Sequence, residues 1–347
     1  MFENIISPEQ QQTLHQLLAD KKRIVLTCHI SPDGDAIGSM TAMASVLQRL
    51  GHDTTCICPD NFPDFLMWIP GAKDMLVYNR SEQRTRAEQV LREADLVCMM
   101  DHNATSRMNE LGAFVDSLTA PRIMIDHHPN PDTGCAVTIS RPDMCAACEV
   151  LFRLMWQMGW ASDMTLDEAI SIYTGMMTDT GAFTYNSNRP EVFEIIAKLI
   201  ARGINKDRIY RNVFWTQSAD RLRLTGFLLY VNMQILDDYH ASIITFNNKE
   251  RRHFQTRNGD TEGIVNMPLQ VAGMKLSIFL RQDTENPQNI RVSLRSVDDF
   301  PCNEMSARYF NGGGHLNAAG GRLTCSMDQA VEIAKRAIKD FEAQLRA

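Results

Sequence analysis

The chain has 347 residues, of which 44% are hydrophobic and 22% charged, a composition typical of a globular protein with two domains. Its 35 basic and 42 acidic residues give a net charge of −7, which argues against a surface for long duplex nucleic acid. No apolar stretch has the length of a membrane helix, and no signal-peptide pattern is present. Nine cysteines with scattered spacing favour reduced thiols and a cytoplasmic location; Cys145 and Cys148 are interpreted as packing residues.

Helices and strands alternate in the first half of the chain. Ser7-Pro8-Glu9-Gln10 and Thr165-Leu-Asp-Glu168 have the pattern of helix amino termini. Helices are predicted at 8–20, 36–50, 81–93, 144–158 and 166–179, and strands at 24–28, 54–58, 96–100 and 122–126. This alternation predicts an α/β fold whose amino-terminal domain is a doubly wound parallel sheet with helices on both faces.

The second half has a different pattern and predicts a smaller α/β domain. Segments 190–202 and 206–230 are predicted to be mainly helical, and 240–245, 274–280 and 290–296 to be strands. We expect a catalytic domain at 1–190, a mainly helical connector at 191–230 and a substrate-binding domain at 231–347. The active site is expected in the cleft between the two domains.

Four segments of the first half end in acidic or imidazole side chains. The endings are His29-Ile-Ser-Pro-Asp33-Gly-Asp35, Asp101-His102-Asn103, Asp126-His127-His128 and Asp179-Thr-Gly181. The first three follow strands, and the carboxyl ends of parallel strands share one edge of a sheet, so these groups are expected to meet there. Asp179 is predicted in a helix–strand loop and joins them only if the fold brings that loop over.

Several carboxylates gathered without positive charge repel one another, so the cluster predicts bound cations. Oxygen-rich sites with a few imidazoles suit Mn2+ or Mg2+, since no cysteine joins the pattern. The number of groups suits two ions about 3.5–4 Å apart that share a carboxylate and activate water for attack on phosphorus. Taken singly, His29 could be a packed histidine, Asp101 a helix cap and Asp126 a turn residue. Their joint occurrence favours the metal site.

A second group of candidate residues lies near the carboxyl terminus. Segment 312–321 begins with three consecutive glycines, Gly312, Gly313 and Gly314, that let backbone amides approach an anion, and the small residues after them predict a closely packed short helix. A turn that is merely flexible does not require a histidine, so His315 favours a binding role. Alternation places Arg291, Ser293 and Arg295 on one strand face, where an arginine can bind a phosphate. A solvated basic face is the alternative.

These motifs together resemble the DHH phosphoesterase superfamily, which is named for the triplet present here at 126–128. The resemblance covers nearly the whole chain. It includes the motif at 29–35, Asp101, the triplet and Asp179-Thr-Gly181, whereas 262–266, 293–296 and 312–321 resemble the DHH-associated domain. Within the superfamily the chain is similar to the short, two-domain NrnA-like branch of nanoRNases and pAp phosphatases.

The resemblance implies a role for each site residue. One metal ion would be held by His29, Asp33 and Asp101, and the other by Asp35, Asp101, His127 and Asp179, with Asp101 bridging. Asp126 would orient a ligand histidine, and His128 would act near the scissile phosphate. The substrate phosphate would be bound across the cleft by Arg295, Gly313, Gly314 and His315. His102 is a candidate supporting residue.

The function implied by the resemblance is that of a phosphoesterase with two divalent metal ions, Mn2+ first and Mg2+ as the alternative. Its substrates would be short single-stranded oligoribonucleotides or linear dinucleotides, cleaved to mononucleotides, and pAp, which would lose its 3′ phosphate. A pyrophosphatase or exopolyphosphatase and a non-catalytic nucleotide-binding regulator are the alternatives. The resemblance also implies a homodimer.

Overall fold

Two units, residues 1–216 and 217–347, make up the protein. The structure, a computed structural model, describes residues 2–346 except Thr133, Gln217 and Asn258. Each unit is built on one six-stranded sheet. The predicted α/β class and the parallel sheet of the first unit are confirmed. Within the described part of the chain, no helix has both the length and the apolar character needed to cross a membrane.

The sheet of the first unit is parallel throughout, in the order β3-β2-β1-β4-β5-β6. Its strands are β1 (Arg23–Thr27), β2 (Asp53–Cys58), β3 (Leu76–Val77), β4 (Leu96–Met100), β5 (Arg122–Asp126) and β6 (Val137–Ser140). All five residues of β4 are buried, as expected for a strand covered on both faces. The strand order reverses between β1 and β4. Such a reversal leaves a crevice outside the carboxyl ends of these two strands.

Helices cover both faces of this sheet. They are α1 (Pro8–Leu17), α2 (Gly34–Arg49), α3 (Ser81–Arg92), α4 (Glu110–Asp116), α5 (Ala147–Gln157), α6 (Leu166–Asp179), α7 (Pro190–Ala201) and α8 (Lys206–Phe214). The core that includes α2, α5 and α6 lies on one face, and the core that includes α3 and α4 lies on the other. Ser7 and Thr165 form the predicted capping boxes and begin α1 and α6.

The second unit has a mixed sheet in the order β11-β12-β10-β9-β8-β7, in which β8 and β9 are the parallel pair. Its strands are β7 (Met233–Leu236), β8 (Ala241–Phe246), β9 (Leu276–Gln282), β10 (Asn289–Ser296), β11 (Gly313–His315) and β12 (Ala318–Thr324). Its helices are α9 (Ala219–Phe227), α10 (Asn248–His253), α11 (Cys302–Tyr309), α12 (Met327–Asp340) and α13 (Glu342–Arg346).

The two faces of the second sheet differ in how far they are covered. Helices α11, α12 and α13 supply the core of one face. On the other face, α9, the turn after it and the helical turn Ile264–Gln270 pack mainly against β8 and β9. On β10, β12 and β11 this second face carries exposed residues, among them Arg291, Gly313 and Arg322. A surface open to ligands therefore remains on this part of the sheet.

Three predicted elements differ from the structure. Segment 312–321 contains no short helix but forms the β11–β12 hairpin; a Cβ on Gly312 would strike the Gly320 carbonyl, so the small residues permit close strand pairing. Asp179 is the last residue of α6 and not part of a helix–strand loop, since α7 follows. The predicted helical stretch 206–230 forms α8, α9 and a turn, and Gln217 within it lies outside the described residues.

Candidate metal centre

The first part of the site lies directly after β1. His29 is 7% exposed, and its Nδ1 lies 2.7 Å from the Ile30 carbonyl oxygen. Its Nε2 lies 3.3 Å from Asp101 Oδ2 and 4.0 Å from Asp33 Oδ2. Asp33 caps α2, and its Oδ1 accepts hydrogen bonds from two amides of the first turn at 2.9 and 3.1 Å. The helix start therefore fixes Asp33 with its second oxygen toward His29.

Asp35 is fully buried in the first turn of α2. Its Oδ2 accepts a hydrogen bond from the Ala147 amide at 2.6 Å, and its Oδ1 accepts one from the Cys148 amide at 3.0 Å. These amides begin α5, which has no capping side chain of its own, so Asp35 satisfies the amino terminus of that helix. Burial nevertheless raises the pKa of Asp35. This contact is not predictable from the sequence, because the partners are 112 residues apart.

Asp101 lies at the centre of the cluster, at the end of β4. It is 2% exposed and adopts a left-handed backbone with a φ of 58°. Its Oδ1 lies 3.6 Å from His127 Nε2 and 3.7 Å from His128 Nδ1. Burial, followed by the neighbouring carboxylates of Asp35 and Asp33, raises the pKa of Asp101 well above its ordinary value. Its Oδ1 is buried and accepts no hydrogen bond from any described residue.

In the triplet at the end of β5, Asp126 pairs with His128, and His127 makes separate contacts. Asp126 is fully buried; its Oδ1 lies 2.8 Å from His128 Nδ1, and its Oδ2 accepts the His128 amide at 3.0 Å. His127 instead has its Nδ1 3.3 Å from the Met144 carbonyl oxygen and its Nε2 3.4 Å from Asp179 Oδ2. Asp126 thus contacts His128, and the role that the family resemblance implies for it, orienting a ligand histidine, stays a prediction.

The charges around His127 decide its protonation. Burial alone lowers the pKa of this imidazole, but the carboxylates of Asp101, Asp35 and Asp126 outweigh that effect and raise it. Asp179 has its pKa raised well above the ordinary value, first by burial and then by Asp35 and Asp33. Protons or cations are therefore needed to hold these groups together.

Close helix packing brings Asp35 and Asp179 into the cluster. Gly175 lies one turn before Asp179 on α6, and a Cβ added there would clash with Cys148 Sγ and lie 2.7 Å from Asp35 Oδ1. The glycine therefore allows α6 to approach α2 and α5 closely enough for their acidic groups to meet. Gly175 was not singled out from the sequence, since a lone glycine inside a helical pattern carries no signal of what it contacts.

Three groups of side chains in the described part of the chain have ligand atoms within 4.8 Å of one another. They are His29, Asp33 and Asp101; Asp35, His127 and Asp179; and Asp101, His127 and His128. The third group shares a residue with each of the other two. The donors are oxygen and imidazole nitrogen, and the orphaned Asp101 oxygen lies among them, so the residues fit two neighbouring divalent cations.

His102 is fully buried next to the cluster. Its Nδ1 lies 3.1 Å from the Ala104 carbonyl oxygen, and its Nε2 has no partner among the described residues. Burial lowers the pKa of His102 to about 3. The side chain is thus neutral at physiological pH and supports the turn after Asp101 without contributing charge.

The predicted phosphate-binding residues lie in the second unit. Arg295 on β10 is directly opposite Ala318 on β12, which in turn is opposite His315 on β11. Directly opposite residues of antiparallel strands lie on the same face. Gly313 and Gly314 precede His315 on β11 and are exposed. Arginine, imidazole and accessible backbone therefore occur together on the uncovered face.

Two family models match the chain. The model described as DHH family, N-terminal domain, matches residues 23–177, and the DHHA1 domain matches residues 237–341. The bifunctional oligoribonuclease and PAP phosphatase NrnA of Thermus thermophilus is 27% identical over 319 residues, which cover 91% of this chain and 89% of that protein.

Solved structures give the same result for the fold. The crystal structure of an exopolyphosphatase-related protein from Bacteroides fragilis is 42% identical, covers 100% of both chains and has a TM-score of 0.95. RecJ of Thermus thermophilus in complex with Mn2+ is 14% identical and has a TM-score of 0.53. The match covers 97% of this chain and 54% of RecJ, so it is a likeness of fold alone.

Fold and site together define a hydrolase that acts on phosphoester bonds. The chain belongs to the DHH family, with a DHHA1 domain in its second unit. The resemblance to the NrnA-like branch is confirmed by the match to NrnA over most of both chains.

Proposed function

We propose that the protein is a two-metal, manganese-dependent phosphoesterase that hydrolyses short oligoribonucleotides and linear dinucleotides to mononucleotides and also removes the 3′ phosphate of pAp. The observation that carries the proposal is the overlap of three metal-competent groups at Asp101 and His127. The substrate class is supported by the likeness to NrnA, an oligoribonuclease and PAP phosphatase.

Each cation would have its own set of ligands. His29, Asp33 and Asp101 would hold one, and Asp35, Asp101, His127 and Asp179 the other. The donor chemistry favours Mn2+, with Mg2+ as the alternative. When bound, two such ions supply positive charge and lower the pKa of water. The ligand side chains would fix the positions of the two cations, because each side chain is held at a helix end or directly after a strand.

Asp126 and His128 would act as a proton-handling pair. The two contacts from Asp126 fix the ring of His128 and favour a proton on Nδ1. The Nε2 atom is the opposite nitrogen of the imidazole, which would stabilise charge on the phosphate or give a proton to the leaving oxygen. Arg295 and His315, with the amides of Gly313 and Gly314, would bind the substrate's phosphate.

Product analysis tests the proposal. The purified protein, with Mn2+, is incubated with 5′-phosphorylated RNAs of two to eight nucleotides, pAp, pyrophosphate and polyphosphate, and products are separated by chromatography. We expect mononucleotides from the shortest RNAs and AMP from pAp. Turnover of pyrophosphate or polyphosphate without turnover of RNA or pAp would contradict the proposal.

An exopolyphosphatase is the second candidate. The 42% identical relative is described as exopolyphosphatase-related, and the same cluster suits attack on a phosphoanhydride. The substrate panel separates the two, because release of orthophosphate from polyphosphate needs no nucleoside. The third alternative, a non-catalytic regulator, is not favoured, because the chain belongs to a family of phosphoesterases.

Location and oligomeric state remain predictions. Nine free cysteines are typical of a reducing compartment, so we propose the cytoplasm.

The homodimer is implied by resemblance alone, and sedimentation velocity at several protein concentrations tests it.

A further inference from the structure

One face of the second sheet carries a row of arginines on three adjacent strands, half-buried on β9 and exposed on β10 and β12. Arg291 on β10 lies directly opposite Arg281 on β9 and, on its other side, directly opposite Arg322 on β12. These three residues, called the arginine row below, therefore share one face. Arg251 on α10 extends the row, since its guanidinium lies 4.9 Å above the ring of Phe246, the residue opposite Arg281 on β8.

The positive charge of the row is poorly compensated inside the protein. Among the described residues, one carboxylate lies within ion-pair distance, that of Asp283, which is 2.9 Å from Arg291 Nε. Arg281 donates to Thr261 Oγ1 at 2.7 Å, a neutral partner. Burial and the neighbouring Arg291 and Arg251 lower the pKa of Arg281, and the carboxylate of Glu262 opposes them with a smaller effect. An anion bound on the row would relieve this repulsion between like charges.

The row has access to solvent and to the phosphate-binding residues. Arg291 and Arg322 are exposed. Arg295 lies four residues beyond Arg291 on β10, which corresponds to about 14 Å at a rise of about 3.4 Å per residue. The stretch between them is occupied by Ser293 and the opposing Gly320. These small residues leave the surface open, so one elongated ligand can contact both places.

We propose that the arginine row is a second phosphate-binding subsite, which holds backbone phosphates of an oligoribonucleotide that extends beyond the phosphate bound at Arg295 and His315. The inference rests on the proposed function and adds a length preference to it. One strand of stacked duplex DNA has one phosphate per about 3.4 Å of its axis, and with this spacing about 14 Å corresponds to about four nucleotides. A dinucleotide or pAp does not reach the row, whereas a pentanucleotide does.

Arg322→Glu is the decisive variant. The Arg322 side chain forms no hydrogen bond or ion pair with any described residue, so its replacement leaves the internal contacts of the sheet intact. The matched control is Arg336→Glu, an exposed arginine on α12, which packs against the opposite face. In Arg322→Glu, kcat/KM for a 5′-phosphorylated pentaribonucleotide is expected to fall about tenfold, mainly through KM. Hydrolysis of pApA is expected to be unchanged in both variants.

Salt dependence and direct binding provide readouts that a structural defect does not reproduce. One lost phosphate contact reduces the slope of log affinity against log salt by about 0.7 for a single strand. We expect this reduction for Arg322→Glu with the pentanucleotide and no change for Arg336→Glu. Binding of a fluorescent pentaribonucleotide to the full chain in EDTA is measured by anisotropy, with unlabelled polyphosphate as competitor, so that hydrolysis does not interfere.

The outcomes separate this inference from the proposed function. Equal loss of pApA and pentanucleotide hydrolysis in Arg322→Glu, or no loss of either, overturns the subsite. If the wild type hydrolyses neither RNA, the proposed function fails, and the binding assay still decides: Arg322→Glu must weaken binding of the pentanucleotide more than Arg336→Glu does. Loss of polyphosphate binding with unchanged RNA binding also overturns the inference.

Discussion

The candidate metal centre of the first unit and the arginine row of the second unit handle charge in opposite ways. Asp35 and Asp101 are at most 2% exposed, and in the described part of the chain histidines, not lysine or arginine, are the basic side chains beside them. Arg291 and Arg322 are exposed, so water hydrates them when no ligand is bound. Buried like charges depend on a bound cation and on a scaffold that holds them together. Exposed charges mainly set affinity and its response to salt.

The largest loss of activity is expected from a substitution in the candidate metal centre of the first unit. Asp101→Asn keeps the shape but removes the carboxylate shared by two of the ligand groups. We expect kcat with Mn2+ to fall by about 10³-fold. Metal-free Asp101→Asn is expected to be at least as stable toward urea as the metal-free wild type, because burial and neighbouring carboxylates disfavour the charge.

Lost activity together with retained stability would show that the charge of Asp101 serves function and that it destabilises the fold when no metal is bound. Asp163→Asn, at an exposed position, is expected to change neither activity nor stability. If Asp101→Asn destabilised the metal-free protein strongly, Asp101 would be a structural residue and the comparison between the two regions would fail.

Addition of metal is expected to stabilise the two regions unequally. A cation that binds the folded state alone contributes about 3–4 kcal/mol at 100–1,000 times its Kd. Hydrogen exchange with and without Mn2+ measures where this stabilisation appears. We expect slower exchange in α2, α5 and α6, whose ends hold Asp35 and Asp179, and unchanged exchange in β10 and β12. Equal slowing in both units would argue against a metal site confined to the first.

The same substitution is expected to have opposite effects in the two units. Gly175→Ala places a methyl group against Cys148 and Asp35, so it is expected to destabilise the protein by about 1–3 kcal/mol and to weaken Mn2+ binding about tenfold. Gly226→Ala on α9 meets nothing within 4 Å and is expected to add about 0.5–1 kcal/mol. Urea unfolding and Mn2+ titration calorimetry measure both. Unchanged metal affinity in Gly175→Ala would separate the glycine from the metal site.

The smallest effect concerns a buried histidine outside both regions. His52 is 5% exposed, and its Nδ1 accepts the Lys22 amide at 3.2 Å. Burial lowers its pKa below the ordinary 6.5, so below about pH 6.5 the unfolded chain binds a proton before the folded one does. Stability is thus lost as the pH falls. His52→Gln removes this pH-dependent loss of stability. Between pH 7 and 5, the free energies of unfolding in urea of the variant and the wild type are expected to diverge by less than about 1 kcal/mol. Parallel curves for both proteins would contradict this assignment.

Much of the fold was predictable because local signals determine it. β4 and β5 begin and end at the predicted residues, since each is a short apolar run between polar segments. The capping boxes at Ser7 and Thr165 fixed two helix starts. Segment 312–321 was predicted wrongly, because glycine permits both tight helix packing and close strand pairing, and the choice depends on β10, which lies beside β12.

The site was predictable in its residue types and less so in its contacts. Motif endings after β1, β4 and β5 pointed to one sheet edge, and the strand order places β1 and β4 at the reversal point. The partner of Asp126 was not predictable, because two adjacent histidines at the end of a strand point in different directions. The arginine row was missed for a similar reason: its members are adjacent only across strands whose register the sequence does not reveal.

The contact between Asp35 and the start of α5 provides a spectroscopic probe. Both oxygens of this carboxylate accept backbone amides, those of Ala147 and Cys148. A cation bound at Asp35 as proposed would draw electron density from the carboxylate and weaken both hydrogen bonds, and the nitrogen and proton resonances of these two amides would shift accordingly. Occupancy of the site can thus be followed at two peptide groups with a diamagnetic ion such as Mg2+, without a substrate and without any change to the chain.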